Sequence, residues 1–402
     1  MKVAIIGAGV GGLTLALALA REGIKDIDIY ESSPAIGELG VGINILPHAM
    51  RILDDLGLQQ RLLDVSVQTT ELRYLTHRGQ LIWREQRGIS AGYQWPQISI
   101  HRGKLIDVLH RAVLEQLEPE CIHTNSRLES FEQHDNGSIT FIAANKKLTV
   151  DCLVGCDGVH SMVRNAFYPH EGPPKWDGIT MWRAASFMPP SEVYESMVIA
   201  GKADHRMVMY PIIKNSDVSK GYLVNWVIKQ KTSIAQPMPK QDWNHATTVA
   251  DIPARFTDFQ FLNIEELIKN APAIYKYPQV DRDPLPSWAF EHITLLGDAA
   301  HPMYPSGSNG ASQAIIDAEA LALELAHGHS ISSAIHNYDR ERREATNAIV
   351  WKNREAGPEK CIDIVEQRAP LGFDSLADVI DQHELSGIVA SYKKVAGFEL
   401  PA

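Results

Sequence analysis

The hydrophobic pattern at the N-terminus predicts a strand, a helix and a second strand in that order. The apolar, β-branched run from Val3 to Ile6 is typical of a buried parallel strand. The almost wholly apolar stretch from Leu13 to Ala20 predicts a buried helix. The strand pattern returns from Ile27 to Tyr30. Together these segments predict the β-α-β unit that opens a dinucleotide-binding fold.

The rest of the chain divides by its pattern into two kinds of region. Apolar or amphipathic runs predict helices that begin at Pro47, at Arg102, after Gly310 and at Ile331. Between residues 178 and 286, short alternating segments rich in Val, Ile, Tyr and Trp are typical of antiparallel strands. We therefore expect an α/β nucleotide fold that is interrupted by an antiparallel sheet.

Three glycines between the first strand and the helix indicate a phosphate-binding turn. Gly7, Gly9 and Gly12 have the spacing G-x-G-x-x-G, which suits a tight turn, a close approach to a pyrophosphate and close helix–strand packing, respectively. Glu31 follows about 19 residues later, where an acid accepts hydrogen bonds from a ribose. A lone motif also fits an ordinary turn, but strand, helix, strand and acid in order favour a nucleotide site. These residues alone allow either FAD or NAD(P).

Two later stretches place polar residues at the carboxyl ends of buried strands, where α/β folds bind ligands. In the first, an apolar strand breaks at Asp157–Gly158 and leads into a helix, although a simple Asp-Gly turn also explains this pattern. In the second, the strand Ile293–Leu296 ends at Gly297–Asp298. Residues 307–310 then lead into a long apolar helix through positions that tolerate positive φ.

A pair of glycines and an arginine that follow the N-terminal β-α-β unit each allow a functional and an ordinary interpretation. Gly40 and Gly42 suggest a close backbone approach to a ligand, or a plain loop. Arg102 stands at a helix start, where the dipole disfavours a cation, so it indicates an anionic group nearby or a solvated surface arginine.

Composition and charge narrow the function classes. Apolar residues make up 45% of the 402 residues, which is enough for a large core, and the net charge of −11 argues against nucleic-acid binding. No apolar run approaches the ~18 residues that a membrane-spanning helix needs. The four cysteines form no C-x-x-C pair, and neither a metal cluster nor a Ser-His-Asp triad is evident. We expect a cytoplasmic protein without a membrane span and without a metal site.

Taken together, the three constellations resemble the fingerprints of the class A flavoprotein aromatic hydroxylases, the family of para-hydroxybenzoate and salicylate hydroxylases. The stretches are GAGVGGLTLALAL with Glu31, GCDGVHSMVR, and LLGDAAHPMYPSGSNGASQAIIDA. Within the family, the resemblance is closest to the FAD monooxygenases of phenazine biosynthesis, through GVGIN, ELRYL, SIHRG, GITMWR, LVNWV and VDRDPLP.

The resemblance implies a Rossmann-like FAD-binding domain with an inserted antiparallel-sheet substrate domain and C-terminal helices. The discontinuous FAD-binding domain would comprise residues 1–75, 101–175 and 287–357. The substrate domain would comprise 76–100 and 176–286. We expect the tail, 358–402, to be helical and to pack across the surface.

The resemblance also implies which residues hold a non-covalent FAD. They are Gly7, Gly9, Gly11 and Gly12 at the pyrophosphate, Glu31 at the ribose, Gly42 and Arg102 along the cofactor, the backbone of Leu128 at the adenine, Asp157 near both FAD and NAD(P)H, Asp298 at the ribityl chain, and Gly307, Ser308, Asn309 and Gly310 at the flavin N1/O2 edge. One position departs from the family, because several relatives have an arginine just before the segment that begins here at Gly40.

The implied activity is hydroxylation of an aromatic or heteroaromatic substrate by FAD, NADH or NADPH, and O2, through a flavin C4a-hydroperoxide. With a phenazine-carboxylate-like substrate, hydroxylation at the carboxylated carbon would release CO2. The alternatives are an FAD-dependent reductase or dehydrogenase on the same scaffold, and a non-catalytic flavin-binding protein. The expected partners are the small substrate and O2, and the chain is expected to be a monomer or a homodimer.

Candidate substrate residues come from the sheet region and from the loop after Asp298. They are Trp182, Arg183, Tyr210, Trp226, Met303 and Pro305. Arg183 and Arg206 are the cations considered for an anionic substrate, and we expect Trp226→Ala to raise KM. His301 is a candidate acid or base, with a hydrogen-bonded loop histidine as the alternative.

Overall fold

The computed structural model describes residues 1–37, 41–214, 221–232, 238, 246–259 and 261–397. Gly40 lies outside the described residues. The helices are α1 Val10–Arg21, α2 Pro47–Asp55, α3 Gln59–Leu63, α4 Arg102–Gln116, α5 Met162–Phe167, α6 Ile264–Lys269, α7 Gly310–His327, α8 Ile331–Arg354, α9 Lys360–Arg368 and α10 Gln382–Val395. Among the described residues, no helix combines the length and apolar character that crossing a membrane requires.

The strands are β1 Val3–Ile6, β2 Ile27–Tyr30, β3 Gly42–Ile45, β4 Ser66–Gln68, β5 Glu71–Thr76, β6 Leu81–Gln86, β7 Ile98–His101, β8 Ile122–His123, β9 Leu128–Gln133, β10 Ile139–Ala143, β11 Lys146–Val150, β12 Cys152–Gly155, β13 Lys175–Met188, β14 Met197–Gly201, β15 His205–Lys214, β16 Tyr222–Lys231, β17 Ala246–Thr247, β18 Ile274–Asp281, β19 Ala289–Phe290 and β20 Ile293–Leu295.

A parallel sheet forms the centre of the nucleotide fold, as the apolar runs predict. Its strand order is β19-β20-β12-β1-β2-β8, and only the β19–β20 pair is antiparallel. Every residue of β1 is buried, because helices cover both faces of such a sheet. Helix α1 packs against α7 and α4. The strand–helix–strand expectation for the N-terminus is therefore confirmed.

A larger, mostly antiparallel sheet forms the second layer. Its order is β17-β18-β13-β16-β15-β14-β5-β6, and the β14–β5 pair is parallel. Neighbouring residues on each strand point to opposite faces, and the two faces pack into separate hydrophobic clusters. Strand β5 belongs to this sheet although residues 71–75 were assigned to the FAD-binding part. The domain boundaries stay a prediction.

Two three-stranded antiparallel sheets complete the strand structure. One has the order β3-β7-β4 and the other β11-β10-β9. Strand β3 lies between the two large sheets, because its first residue, Gly42, contacts Asn225 of the larger sheet. This small sheet therefore brings the backbone of Gly42 to the junction of the two layers.

The described part of the C-terminal segment contains the helices α9 and α10, and one face of each helix is buried. Cys361, Ile362 and Val365 of α9 are fully buried against one face of the larger sheet. Tyr392 of α10 is 2% exposed and reaches the loop before α7, where its hydroxyl donates to the Ser306 carbonyl oxygen at 3.0 Å. The buried residues of α10, Leu385, Val389 and Tyr392, have helical spacing and lie on one face of the helix.

Candidate functional site

The glycine turn after β1 has the geometry that its spacing predicts. Gly7 has φ of +108°, and a Cβ there would lie 2.5 Å from the Cys156 carbonyl oxygen. A Cβ at Gly12 would lie 2.0 Å from the Gly7 carbonyl oxygen, so side chains are excluded at both positions. A Cβ at Gly9 would meet no atom within 4 Å, because this residue faces the open cleft. The start of α1 is thus left accessible to a ligand.

Glu31 is held beside this turn at the end of β2. Its carboxylate accepts hydrogen bonds from the Ala8 amide at 2.9 Å and from the Ser33 amide at 2.8 Å. Burial favours the neutral acid, but the hydrogen bonds from Ala8, Ser33 and Ser32 outweigh it and lower the pKa of Glu31. An ionised acceptor next to the turn suits a ribose hydroxyl.

A cleft of about 310 Å³ lies between the nucleotide fold and the larger sheet. The glycine turn, the start of α4 at Arg102 and the segment 296–311 form one wall. Met181, Arg183, Tyr210 and Tyr277 of the larger sheet form the other. The structure therefore brings together residues that lie far apart in the sequence.

Asp298 is the carboxylate on the nucleotide-fold wall. It sits deep among protein atoms, yet its side chain is exposed to the open cleft. Burial raises its pKa, and the nearby His301 and Arg102 partly offset this effect. Burial likewise lowers the pKa of Arg102, and Asp298 opposes that change. The two side chains thus place opposite charges on the same side of the cleft.

The loop before α7 presents backbone rather than side chains to the cleft. Gly307 and Ser308 both have positive φ, at 71° and 56°, and a Cβ at Gly307 would lie 2.0 Å from the Tyr392 hydroxyl oxygen. Asn309 precedes α7 without capping it by its side chain, so the first amides of the helix stay available as donors. The helix N-terminus stabilises negative charge in front of it.

On the opposite wall, Arg183 joins the larger sheet to the small one. Its guanidinium donates to the Gly42 carbonyl oxygen at 2.7 Å and to the Tyr277 hydroxyl at 2.9 Å. The Gly42 amide donates to Asn225 Oδ1 at 2.6 Å. A Cβ at Gly42 would lie 2.7 Å from the Asn225 Cβ, so this position requires glycine. Gly42 also lines the cleft, and its expected place along a cofactor stays a prediction.

Two predicted pocket residues, Trp182 and Trp226, do not reach the cleft. Both lie in the hydrophobic cluster on the far face of the larger sheet, and Trp226 is fully buried there. Trp182 is adjacent to Arg183 on β13, and adjacent residues on a strand point to opposite faces. Arg183 and Tyr210 line the cleft as expected, and so do Met303 and Pro305.

His301 and Arg206 are also engaged elsewhere. His301 is almost fully buried, with its Nε2 2.5 Å from Asp317 Oδ2 and its ring near Trp288. His301 is therefore the hydrogen-bonded histidine that was the alternative to an acid or base, and it does not line the cleft. Arg206 pairs with Glu359 at 2.7 Å and with Asp363, so it is not available to a substrate in the cleft.

Asp157 and Leu128 have structural surroundings that the motifs did not indicate. Asp157 accepts hydrogen bonds from the Ser161 hydroxyl at 2.5 Å and from the Met162 amide at 2.7 Å, at the start of α5. Burial raises its pKa, and these hydrogen bonds oppose the rise. Leu128 is a buried core residue at the start of β9. Their roles toward a cofactor stay predictions.

Sequence reasoning missed several residues of the cleft. Tyr277 and Met181 line it, Asn225 holds Gly42 beside it, and Asn44 donates to the Ser308 hydroxyl at 3.3 Å. Strand alternation could have found part of this set, because Arg183 and Met181 share a face of β13. The pairing of Tyr277 with Met181 could not be predicted, since it depends on the register between β13 and β18.

The residues present fit FAD. The turn at Gly9 is open where a pyrophosphate needs the backbone, and Glu31 stands ionised beside it. Farther along the cleft, the Asp298 carboxylate can accept hydrogen bonds from hydroxyl groups. The uncapped amides of α7 can meet a negatively charged ring edge. These sites occur in the order of the parts of a flavin dinucleotide.

Comparison with known proteins agrees with this assignment. The family model "FAD binding domain" matches residues 1–353. The chain is 39% identical over 364 residues to phenazine 1,6-dicarboxylic acid hydroxylase PhzS of Lysobacter antibioticus, covering 88% of this chain and 89% of that protein. It is 31% identical to 3-hydroxybenzoate 6-hydroxylase 1 of Aquipseudomonas alcaligenes, covering 88% of each.

Solved structures show the same fold. A salicylate hydroxylase substrate complex aligns with a TM-score of 0.75 at 21% identity, over 100% of this chain and 99% of that one. CtdE in complex with FAD and a substrate aligns with a TM-score of 0.77 at 20% identity, over 99% of each chain. From its motifs, its cleft and the match over residues 1–353, the chain belongs to the FAD binding domain family.

Proposed function

We propose that this protein is an FAD-dependent monooxygenase that uses NADH or NADPH and O2 to hydroxylate an aromatic or heteroaromatic compound. The observation that carries the proposal is the cleft itself. The glycine turn, Asp298 and the N-terminus of α7 face a wall that contains Met181, Tyr210 and Tyr277. Aromatic rings beside a flavin site suit a flat, electron-rich substrate.

Bound FAD supplies the redox and oxygen-transfer chemistry. The chain's own residues would bind and orient it: Gly9 and α1 at the pyrophosphate, Glu31 at the ribose, and Asp298 at the ribityl chain. The N-terminus of α7 would stabilise negative charge at the N1/O2 edge by about 0.3–1 kcal/mol, and by up to ~2 kcal/mol if that contact is partly buried. Arg183 holds the larger sheet against the small sheet through its hydrogen bond to the Gly42 carbonyl oxygen.

The substrate class follows from the relatives. The two similar proteins are named for hydroxylation of a phenazine dicarboxylate and of 3-hydroxybenzoate, which are both carboxylated aromatic acids. We propose a carboxylated aromatic or heteroaromatic substrate for this chain as well. Hydroxylation at the carboxylated carbon, with release of CO2, is the more specific form of this proposal. The enzyme acts in the cytoplasm as a monomer or a homodimer.

The test is oxidation of NADH and NADPH by the purified yellow protein with a panel of aromatic acids, phenols and phenazines. Each stimulating compound is then assayed under ¹⁸O2, with mass analysis of the product and measurement of CO2. One labelled oxygen in the product is the expected result. Oxidation without label in any product would instead identify an FAD-dependent reductase or an uncoupled oxidase, and would overturn the proposal.

A control variant shows how the assays respond to a substitution outside the cleft. The same assays are run on Trp351→Ala, which changes a half-exposed tryptophan on α8 outside the cleft. This variant should keep its yellow colour and its label incorporation. A protein that takes up no FAD would contradict the cofactor assignment itself, and FAD uptake without oxidation of NAD(P)H with any compound would favour a non-catalytic flavin-binding protein.

A further inference from the structure

A second and smaller chamber adjoins the cleft. It has a volume of about 30 Å³ and shares two wall residues with the cleft, Pro305 and Ser308. Its other walls come from the β3–α2 junction, strands β5, β14 and β15 of the larger sheet, and the C-terminal residues Pro358, Glu359 and Tyr392. A group bound in this chamber would therefore lie next to the part of the cleft that Pro305 and Ser308 line.

The chamber has both apolar and polar walls. Leu46, Leu72 and Val208 are among the apolar walls, and the polar residues include Tyr74, Arg87 and Gln97, which are 0%, 9% and 2% exposed. The Tyr74 hydroxyl, the Arg87 Nε and the Gln97 Oε1 have no hydrogen-bond partner among the described residues. Such buried groups are rare because each one costs about 1–3 kcal/mol.

The charges around the chamber favour an anion. The Glu85 carboxylate is shared between Arg87, at 3.1 Å, and Lys393, which leaves one positive charge in excess. Glu359, the carboxylate that lines the chamber, already pairs with Arg206 at 2.7 Å. Arg87 therefore keeps the capacity to bind a further carboxylate through its Nε–H.

The size of the chamber limits what it can hold. A volume of about 30 Å³ exceeds the ~10–15 Å³ that one water requires, but it is too small for an aromatic ring. The space suits a small anionic substituent. The ring that carries the substituent would have to lie on the side of the shared wall, at Pro305 and Ser308, toward the cleft.

We propose that the chamber binds the carboxylate of the aromatic substrate, with Arg87 Nε–H and the Tyr74 hydroxyl as donors and Gln97 Oε1 as an acceptor for a neighbouring hydroxyl or N–H group. This inference rests on the proposed function, because it names the site of the substrate's acidic group. It replaces Arg183 and Arg206 as the cations for the substrate's carboxylate, since Arg87 lines the chamber and neither of the other two does.

The experiment measures binding of phenazine-1-carboxylate and its uncharged analogue phenazine-1-carboxamide to the FAD-loaded protein by titration calorimetry. The wild type should bind the carboxylate more tightly. Arg87→Gln should weaken carboxylate binding by about 10- to 100-fold and leave carboxamide binding within about twofold, because only a charge-assisted bond is lost. FAD affinity should not change, since Arg87 does not line the larger cleft.

Arg84→Gln is the matched control, because Arg84 lies three residues before Arg87, on β6, but is exposed and pairs only with Glu71 in the described part of the chain. It should leave both affinities unchanged. Tyr74→Phe gives a second test if Arg87→Gln folds poorly, since it removes only the hydroxyl. It should weaken carboxylate binding by roughly 2- to 10-fold.

The outcomes separate this inference from the proposed function. Unchanged carboxylate selectivity in both Arg87→Gln and Tyr74→Phe would overturn the inference, even if ¹⁸O incorporation confirms a monooxygenase. Selectivity that depends on Arg87 would support the chamber even if no labelled product forms, in which case only the proposed function fails. Failure of the wild type to bind either probe would also overturn the inference.

Discussion

The two faces of the larger sheet are both rich in aromatic residues, but only one of them contributes to the cleft. On the far face, Trp226 donates to the Ser186 hydroxyl at 2.9 Å, and Ser186 donates to the Leu267 carbonyl oxygen at 2.6 Å. Phe256 and Phe259 complete this closed core. On the near face, Arg183 and its neighbours present hydroxyl and guanidinium groups to the cleft.

The comparison shows that aromatic content does not locate a site on a sheet. Both tryptophans fill core space, and their polar atoms do not face the cleft. On β13, the residues that reach the cleft are Arg183 and Met181, which lie two positions apart and so point to the same face of the sheet. Phase within the strand, and not residue type, decides which side chains can touch a cofactor or substrate.

The largest expected effect comes from breaking the far face. Trp226→Ala removes a fully buried indole, and we expect the free energy of unfolding to fall by about 3–5 kcal/mol with little change in KM or FAD affinity. Denaturant unfolding and steady-state kinetics measure the two quantities. Trp351, which is 52% exposed, provides the control, since Trp351→Ala should cost less than about 1 kcal/mol. A raised KM with an unchanged free energy of unfolding would contradict this and would mean that Trp226 contacts the substrate.

The next effect tests the wall that faces the sheet. Asp298→Ala removes the carboxylate of the nucleotide-fold wall, and we expect FAD affinity to fall by about 10- to 100-fold, with loss of turnover, because charge-assisted hydrogen bonds are lost. Fluorescence titration of the apoprotein with FAD measures this. Asp298→Asn keeps the shape and one acceptor, so it should lose less. Full activity with tight FAD in the alanine variant would contradict the assignment.

The sequence predicted the nucleotide wall well because its determinants are local. The turn at Gly7, the start of α1 and the ionised Glu31 follow from spacing within one β-α-β unit. The sheet wall was predicted only in part. The predictions of Arg183 and Tyr210 as cleft residues agree with the structure. Trp182 and Arg183 cannot both face the cleft, because side chains alternate along β13.

The remaining residues of the site depend on long-range packing. Arg206 looked available, but its partner Glu359 lies in the C-terminal segment, and no local pattern predicts that contact. Tyr392 reaches Ser306 in the same way. The register between β13 and β18 decides that Tyr277 meets Arg183. Such contacts require knowledge of the tertiary fold, which neither periodicity nor motif spacing contains.

A smaller effect sharpens the comparison on the near face. Arg183→Gln breaks the bonds to the Gly42 carbonyl oxygen and the Tyr277 hydroxyl, so we expect roughly tenfold weaker FAD binding as the small sheet loosens. Arg183→Lys keeps the charge but cannot bridge both acceptors, so it should rescue little. Full rescue by lysine would show that charge, and not the bridging geometry, is what Arg183 contributes. FAD titration of both variants distinguishes these cases.

The smallest effect concerns the Tyr210 hydroxyl, which lies near Arg183 and lines the cleft with it. Burial raises the pKa of Tyr210 to about 12, so the hydroxyl stays neutral at physiological pH. Tyr210→Phe should therefore weaken FAD binding by less than about threefold, since one neutral hydroxyl is lost and the ring remains. If the hydroxyl acts through Arg183, the substitution should have no further effect in the Arg183→Gln background, which a double-mutant cycle on FAD affinity measures. Additive losses would mean that Tyr210 acts on the cofactor directly, and the near face would then contain two independent contacts.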